Sequence, residues 1–260
     1  MKLSEIISII ESIIPIEAIE PGDPSGLQIG KFQKDIKHIR VALEASIDVI
    51  EGAIKDKVDM LFVHHPLIYT PIQSICDDTV YGHKIYDLIR HDIALYVAHS
   101  NLDRASNGLN RFFGNKIGLE DITEMNMDTH GYTLSGSLKK PMGLKSYAAF
   151  LGGQLATPSL KYVGDDQKII KKVAFVTGSG MSLLKEKMFE EVDVFLTGDL
   201  KYHDAMWVYE SGYSVIDVTH YGSEIMVTEL MLELLVQHLD KSVMVSKDNC
   251  LNNPIKISEV

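Results

Sequence analysis

The chain has 260 residues, of which 45% are hydrophobic and 23% charged, and its formal net charge is -11. These values suit one large globular domain or two small ones, and the acidic balance argues against general nucleic-acid binding. No apolar stretch is long enough to cross a membrane, Glu5 and Glu11 interrupt the isoleucine-rich start, and two cysteines are too few for a disulfide framework, so we expect a cytoplasmic protein.

Helices and strands alternate along the first half. Apolar residues at helical spacing between Leu3 and Ile14 predict a helix that Pro15 ends. Apolar runs predict strands over residues 39–43, 59–63 and 93–98, and helices over about 46–55 and 83–91. Polar groups follow two of these strands, as His64-His65-Pro66 and as the stretch from His99 to Asp103.

The second half follows the same pattern, with strands predicted at 172–176 and 192–196 and a helix at 181–190. A Val-Asp pair begins similar strands at Val58 and Val192. We therefore predict an α/β fold of two similar subdomains, residues 1–125 and 126–260, with mixed, mainly parallel sheets flanked by helices. The C-terminal segment is allowed to pack with the first half, and convergence on a common βα pattern is the alternative to duplication.

Metal-type side chains follow three predicted strands. In open α/β sheets, ligands gather outside the carboxyl ends of the strands. His220 and Glu224 share a helix face if the helix begins before Ser223, since they are four residues apart. Imidazole and carboxylate together suit zinc, iron, manganese or nickel better than calcium. Each piece also has a structural interpretation as a polar strand end, a turn cap or a helix surface. The candidate ligands are His64, His65, Asp103, His220 and Glu224.

Two further motifs have weaker functional interpretations. Thr177-Gly178-Ser179-Gly180 follows a strand and could cradle phosphate, but a dinucleotide fingerprint needs a third glycine where Leu183 stands. Asp199 and His203 lie four residues apart at another strand end. They could orient ligands or carry protons, and a surface helix start is the equal alternative.

Five stretches occur in order along the chain: Gly26-Leu27-Gln28-Ile29-Gly30, Val63-His64-His65-Pro66-Leu67, Ala98-His99-Ser100-Asn101-Leu102-Asp103, Thr197-Gly198-Asp199-Leu200-Lys201-Tyr202-His203 and Thr219-His220-Tyr221-Gly222-Ser223-Glu224. They resemble signature blocks of the Nif-three-like family, whose members are often labelled type 2 homologues of GTP cyclohydrolase I, and the resemblance extends over nearly the whole chain. Ser100 stands where many members have threonine, which keeps the hydroxyl.

The resemblance implies a dinuclear metal centre in the cleft between two intertwined α/β subdomains. His65 and Asp103 would hold one divalent ion, His64 and His220 the other, and Glu224 would bridge them. The family's architecture also implies a homohexameric ring with a central cavity.

The resemblance leaves several functions open. The first is a metal-dependent, cyclohydrolase-like hydrolase of a nucleotide-like or phosphate-containing substrate, with His99 or His203 as catalytic proton carriers. The second is a ring that binds single- and double-stranded DNA without strong sequence specificity, with Phe32, Tyr147 and Tyr162 offering stacking surfaces. The third is metal storage or a scaffold. Three basic stretches could serve the DNA function: Lys31, Lys34, Lys37, His38 and Arg40; Lys139, Lys140 and Lys145; Lys168, Lys171 and Lys172.

Overall fold

The computed structural model describes residues 1–126, 128, 130–157 and 160–258. No helix within these residues is both long and apolar enough to cross a membrane. The strands are β1 (Gly26–Ile29), β2 (His38–Glu44), β3 (Met60–His65), β4 (Ala94–Val97), β5 (Leu119–Glu124), β6 (Leu134–Gly143), β7 (Lys161–Val163), β8 (Ile169–Ser179), β9 (Val194–Gly198), β10 (Val215–Asp217) and β11 (Met244–Lys247). The α-helices are α1 (Leu3–Ile13), α2 (Ile47–Lys55), α3 (Val80–Arg90), α4 (Ser100–Arg104), α5 (Leu109–Lys116), α6 (Leu144–Gln154), α7 (Tyr202–Glu210), α8 (His220–Glu224) and α9 (Val227–His238).

The chain folds as two compact units. Unit 1 contains Met1–Ala105 and Val227–Pro254, so the late elements α9 and β11 belong with the N-terminal part of the chain. Unit 2 contains Ser106–Met226 and the segment from Ile255 onward. The sequence divides at residue 125 into two halves of similar pattern. That internal similarity stays a prediction.

Unit 1 is built on a sheet with the strand order β1-β4-β3-β2-β11 within the described residues. Its strands pair in parallel except β1, which runs antiparallel to β4 at one edge. Continuous apolar runs are typical of parallel strands that are covered on both faces. Helix α2 begins after Ser46, whose side chain accepts a hydrogen bond from the Val49 amide. The parallel arrangement places the carboxyl ends of β3 and β4 at one edge of the sheet.

Unit 2 is built on a sheet with the order β5-β6-β8-β9-β10-β7 among the residues described. Strands β8, β9 and β10 are parallel neighbours, and β5, β6 and β7 join antiparallel. Side chains alternate between two cores: Phe175 and Leu196 face one cluster, whereas Ala174 and Phe195 face the other. This alternation follows from the two-residue period of a strand. The predicted α/β fold with mixed, helix-flanked sheets is confirmed.

The predicted helix over residues 181–190 is wrong. Two short 3-10 helices, Met181–Leu183 and Glu186–Glu190, replace it, and the chain is extended at Leu184 and Lys185. Met181, Leu183, Leu184 and Phe189 all pack against the same core cluster. In one α-helix, at about 100° per residue, Leu183 would point away from Met181 and into solvent. Breaking the helix lets both side chains reach the core.

Candidate metal centre

Three histidines come together at the carboxyl ends of β3 and β4 in unit 1. His64 and His65 are the last residues of β3, and His99 lies between β4 and α4. The ring centroids are 5.1 Å apart for His64 and His65, 5.2 Å for His64 and His99, and 6.0 Å for His65 and His99. One ring nitrogen from each lies within 4.8 Å of the others, close enough for a shared metal ion. Strand order therefore unites two motifs that are 34 residues apart.

Hydrogen bonding fixes the tautomer of His64, which is fully buried. Its Nδ1 lies 2.8 Å from the carbonyl oxygen of Ala98, which can only accept, so Nδ1 carries the hydrogen and donates it. In the neutral ring Nε2 then holds the lone pair, and it lies 3.7 Å from Oδ1 of Asp103 on α4. A histidine whose second nitrogen is engaged in this way is typical of metal ligands. His64 and Asp103 thus offer one nitrogen and one oxygen donor side by side.

His99 is held from the N-terminal loop that precedes β1. Its Nδ1 hydrogen bonds to Oδ2 of Asp23, and its backbone amide donates to Oγ of Ser25 at 3.2 Å. The Ser25 hydroxyl and amide both donate to Oδ1 of Asp23. Burial alone would raise the pKa of Asp23, but hydrogen bonds from His99 and Ser25 together with the charge of His99 lower it. Asp23 is therefore an ionised acceptor beside the imidazole.

In unit 2, helix α8 begins at His220, so His220 and Glu224 lie on one helix face. Nε2 of His220 lies 3.0 Å from Oε2 of Glu224, and Nδ1 lies 2.8 Å from Oδ2 of Asp199. Glu224 is only 5% exposed. Its hydrogen bond raises the pKa of His220 to about 9, against the opposing effect of burial and with support from Asp199. In the metal-free protein His220 is thus a protonated imidazole between two carboxylates, those of Glu224 and Asp199.

The backbone near His220 and Glu224 adopts positive φ angles at three positions. Gly178 has a φ of +64°, and a Cβ there would lie 2.2 Å from Oε1 of Glu224 and 3.5 Å from Nε2 of His220. Asp199 has a φ of 58°, and Thr219, the N-cap of α8, combines a φ of 62° with a ψ of 149°. β-branched residues rarely adopt such angles, and strained backbone collects at functional sites. Donor chemistry and the space left by Gly178 both fit a bound metal ion.

The other predicted functional residues have different surroundings. His203 is exposed in the first turn of α7, where its ring centroid lies 5.5 Å from that of Tyr202. Tyr147 is fully buried, so its predicted role as a stacking surface is wrong. It belongs to the α6 face that packs into the core, whereas Phe32 is 58% exposed.

Many residues of the basic stretches pair with acids. Lys31 lies 3.1 Å from Asp92, Lys139 lies 3.9 Å from Glu120, and Lys145 lies 3.5 Å from Asp166. Arg40 is buried beside Asp56. These ion pairs reduce the local positive charge that a polyanion would meet.

Sequence reasoning missed Asp23, because nothing in the N-terminal loop indicates that it reaches His99, 76 residues away. A usable signal was the Asp-x-Ser spacing of Asp23 and Ser25, which is typical of a turn closed by the carboxylate. The role of Thr219 as the N-cap of α8 was also missed, although the residue stands in the motif that contains His220. Asp199 was singled out as a residue that could orient a ligand, and it does contact His220.

Comparison with known proteins places the chain in a family. The family model described as Duf34/NIF3 (NGG1p interacting factor 3) matches residues 1–253. Proteins named GTP cyclohydrolase 1 type 2 homolog are similar over nearly their whole lengths. The one from Clostridium perfringens is 34% identical over 95% of this chain and 97% of its own. The one from Methanocaldococcus jannaschii is 34% identical over 94% and 98%.

Solved structures agree with this assignment. A Bacillus cereus protein related to NIF3 shares the fold, with a TM-score of 0.92, 22% identity and 99% coverage of both chains. The structure of reduced HcgD from Methanocaldococcus jannaschii has a TM-score of 0.81 and 32% identity, over 95% of this chain and 97% of that one. With the family model spanning almost every residue, this chain belongs to the DUF34/NIF3 family.

Proposed function

We propose that the protein binds a pair of divalent metal ions and uses them in a hydrolytic reaction. The ligands would be His64, His65 and Asp103 from unit 1 together with His220 and Glu224 from unit 2. The observation that carries the proposal is the clustering of His64, His65 and His99, with the second nitrogen of His64 committed to a carbonyl oxygen. Apolar side chains would pack at these positions at a lower free-energy cost than imidazoles, because burying a polar ring is costly. The histidines therefore point to a role other than packing.

The same feature supports the ligand role of His220. Its Nδ1 is committed to Asp199, which directs Nε2 to the same side as the Glu224 carboxylate. Metal-binding histidines commonly donate their second N–H to a carboxylate or carbonyl group. Glu224 has two oxygens and is the residue we assign to both ions. Zinc, iron, manganese and nickel fit this nitrogen and oxygen donor set.

The hydrolytic part of the proposal concerns substrates with a nucleotide-like or phosphate group. Two bound ions would polarise a substrate oxygen and activate water near neutral pH. His99, next to His64 and His65, would accept a proton at Nε2. The name carried by the relatives, GTP cyclohydrolase 1 type 2 homolog, agrees with this chemistry.

The test is turnover by metal-loaded protein against a panel of nucleotides, phosphoesters and cyclic amides. We expect slow hydrolysis that a chelator abolishes and that added metal restores. Glu224→Ala should abolish it, and Glu210→Ala, an exposed acid at the end of α7, is the matched control that should retain it. Metal binding without chelator-sensitive turnover of any class would leave the protein as a metal-storage protein or scaffold and contradict the hydrolase assignment.

We also propose that the chain assembles into a homohexamer. Large apolar side chains are exposed on α3, with Tyr81 63%, Val80 60% and Ile89 56% accessible. Exposed apolar patches on a folded protein commonly mark contact surfaces. Native mass spectrometry should show six copies, and Tyr81→Asp combined with Ile89→Asp should shift the protein to smaller species. A monomeric wild-type protein would contradict the hexamer.

DNA binding by such a ring has less support, because several of the lysines form ion pairs with acidic side chains.

A further inference from the structure

A closed ring of hydrogen bonds joins the N-terminal loop to the histidine cluster of unit 1. The His99 amide donates to Oγ of Ser25, the Ser25 hydroxyl donates to Oδ1 of Asp23, and Oδ2 of Asp23 accepts from Nδ1 of His99. The Ser25 amide adds a second donor to Oδ1 at 2.9 Å. Both carboxylate oxygens are therefore committed, one to the serine and the other to the imidazole.

This ring determines which nitrogen of a neutral His99 carries the hydrogen. A carboxylate can only accept, so Nδ1 must be the donor and Nε2 holds the lone pair. The Asp23 side chain is 6% exposed, which leaves water little access to compete for the imidazole. The adjoining turn holds the loop in place, because the Glu20 amide donates to Oγ of Ser100 at 2.9 Å. The imidazole is thus fixed in both tautomer and position.

We propose that Asp23, with Ser25, is a positioning residue that keeps the lone pair of His99 on Nε2 beside the proposed metal ligands His64 and His65. The role of that lone pair rests on the proposed function. As the oxygen of the attacking water bonds to the substrate, its O–H bond breaks and an N–H bond forms at Nε2. The same proton then passes from Nε2 to the leaving group, and His99 returns to its first state.

The substitution Asp23→Asn tests this proposal sharply. Two donors from Ser25 already point at Oδ1, so the amide oxygen of the substituted side chain is expected to stay with them. The amide nitrogen then faces Nδ1 of His99 and can only donate. Nδ1 must become the acceptor, and the hydrogen moves to Nε2. The side chain keeps its size, but the lone pair leaves the face that the proposal requires.

The experiment is nitrogen-15 NMR of the histidine rings in metal-free protein at a pH high enough for His99 to be neutral, with His99 assigned by comparison with His99→Gln. In the wild type, His99 should show a protonated Nδ1 and an unprotonated Nε2. In Asp23→Asn the pattern should reverse. Ser25→Ala should keep the wild-type pattern because the carboxylate remains. Asp240→Asn is the matched control, since Asp240 accepts from the Ser242 amide in the same Asp-x-Ser turn.

A second readout is metal-dependent turnover, which should fall roughly 10- to 100-fold in Asp23→Asn and stay unchanged in Asp240→Asn. The NMR result does not depend on any reaction. A wild-type protein without hydrolase activity would therefore contradict the proposed function, and the positioning role of Asp23 would then be judged from the NMR result alone. A hydrogen on Nε2 of neutral His99 in the wild type would overturn the inference even if Asp23→Asn failed to fold. An unchanged tautomer in a folded Asp23→Asn protein would overturn it equally.

Discussion

The space beside Glu224 that Gly178 leaves open can be closed by a single methyl group. In Gly178→Ala, the new Cβ would lie 2.2 Å from Oε1 of Glu224 and 3.2 Å from its Cδ. Ordinary van der Waals contact begins at about 3.4 Å, so the oxygen must retreat by about 1.2 Å. Glu224 is 5% exposed and packed on α8, so little room is available for that movement. The carboxylate is displaced from the position that the proposed metal site requires.

Two costs follow from this substitution, and they can be separated. Alanine in the left-handed backbone region costs on the order of 1 to 2 kcal/mol in stability. Gly212→Ala carries the same cost, since Gly212 has a φ of +70° but no described atom within 4 Å of the place that a Cβ would take. Displacing Glu224 adds an overpacking cost of about 1 to 3 kcal/mol. Because sites need their ligands held within about 0.5 Å, metal affinity should fall roughly 100-fold.

Isothermal titration with zinc or manganese, and thermal unfolding of the metal-free proteins, measure both effects. Gly212→Ala should lose stability but keep wild-type metal affinity. Gly178→Ala should lose more stability and most of the affinity. If Gly178→Ala bound metal as tightly as Gly212→Ala, Glu224 would not be a ligand at this position, and the assignment of the unit 2 ligands would be refuted.

Other predictions concern pH, a buried amide and the basic stretches. The Glu224 hydrogen bond raises the pKa of His220 to about 9, so the stability that its protonation adds to the metal-free protein is complete below about 6.5 and is lost as pH rises through 9. The melting temperature should fall over that window in the wild type and fall less in His220→Gln. Buried Asn110 accepts hydrogen bonds from the amide and hydroxyl of Thr177, so Asn110→Ala should lower the free energy of unfolding by about 1 to 3 kcal/mol. Asn115 is exposed, and Asn115→Ala should change that free energy little. Equal losses for the two variants in urea titrations would contradict this prediction. Any DNA binding should weaken steeply with increasing salt and should depend on the lysines rather than on Glu224. The gel-shift comparison uses Glu224→Ala and two triple variants, which replace Lys139, Lys140 and Lys145, or Lys168, Lys171 and Lys172. Loss of the shift only in Glu224→Ala would contradict the prediction.

The strand ends were predictable from the sequence because short-range patterns determine them. Met60 to Val63 forms an apolar run, and the parallel sheet then brings His64, His65 and His99 to one edge. The spacing of His220 and Glu224 indicated a shared helix face, but the apolar pattern predicted a helix start near Ser223, and the structure begins α8 at His220. Local periodicity and the rules of sheet topology suffice for these features.

Long-range hydrogen bonds were not predictable from the same patterns. Asp23 reaches His99 across 76 residues, and only the folded chain shows which acid meets which imidazole. The broken helix after Gly180 depends on how Leu183 reaches a core formed by other strands. Tyr147 looked like an exposed aromatic beside lysines, but its position on α6 buries it. In each case tertiary contacts decide between local alternatives that the sequence leaves equal.

Elemental analysis of protein purified without added metal tests the central claim most directly. We expect up to two divalent ions per chain in the wild type, loss of both in Glu224→Ala, and loss of mainly one in Asp103→Ala. Glu210→Ala, with its exposed side chain, should match the wild type. Full metal occupancy in a folded Glu224→Ala protein would contradict the shared carboxylate, and wild-type protein that takes up no divalent metal even when it is supplied would contradict the metal centre itself.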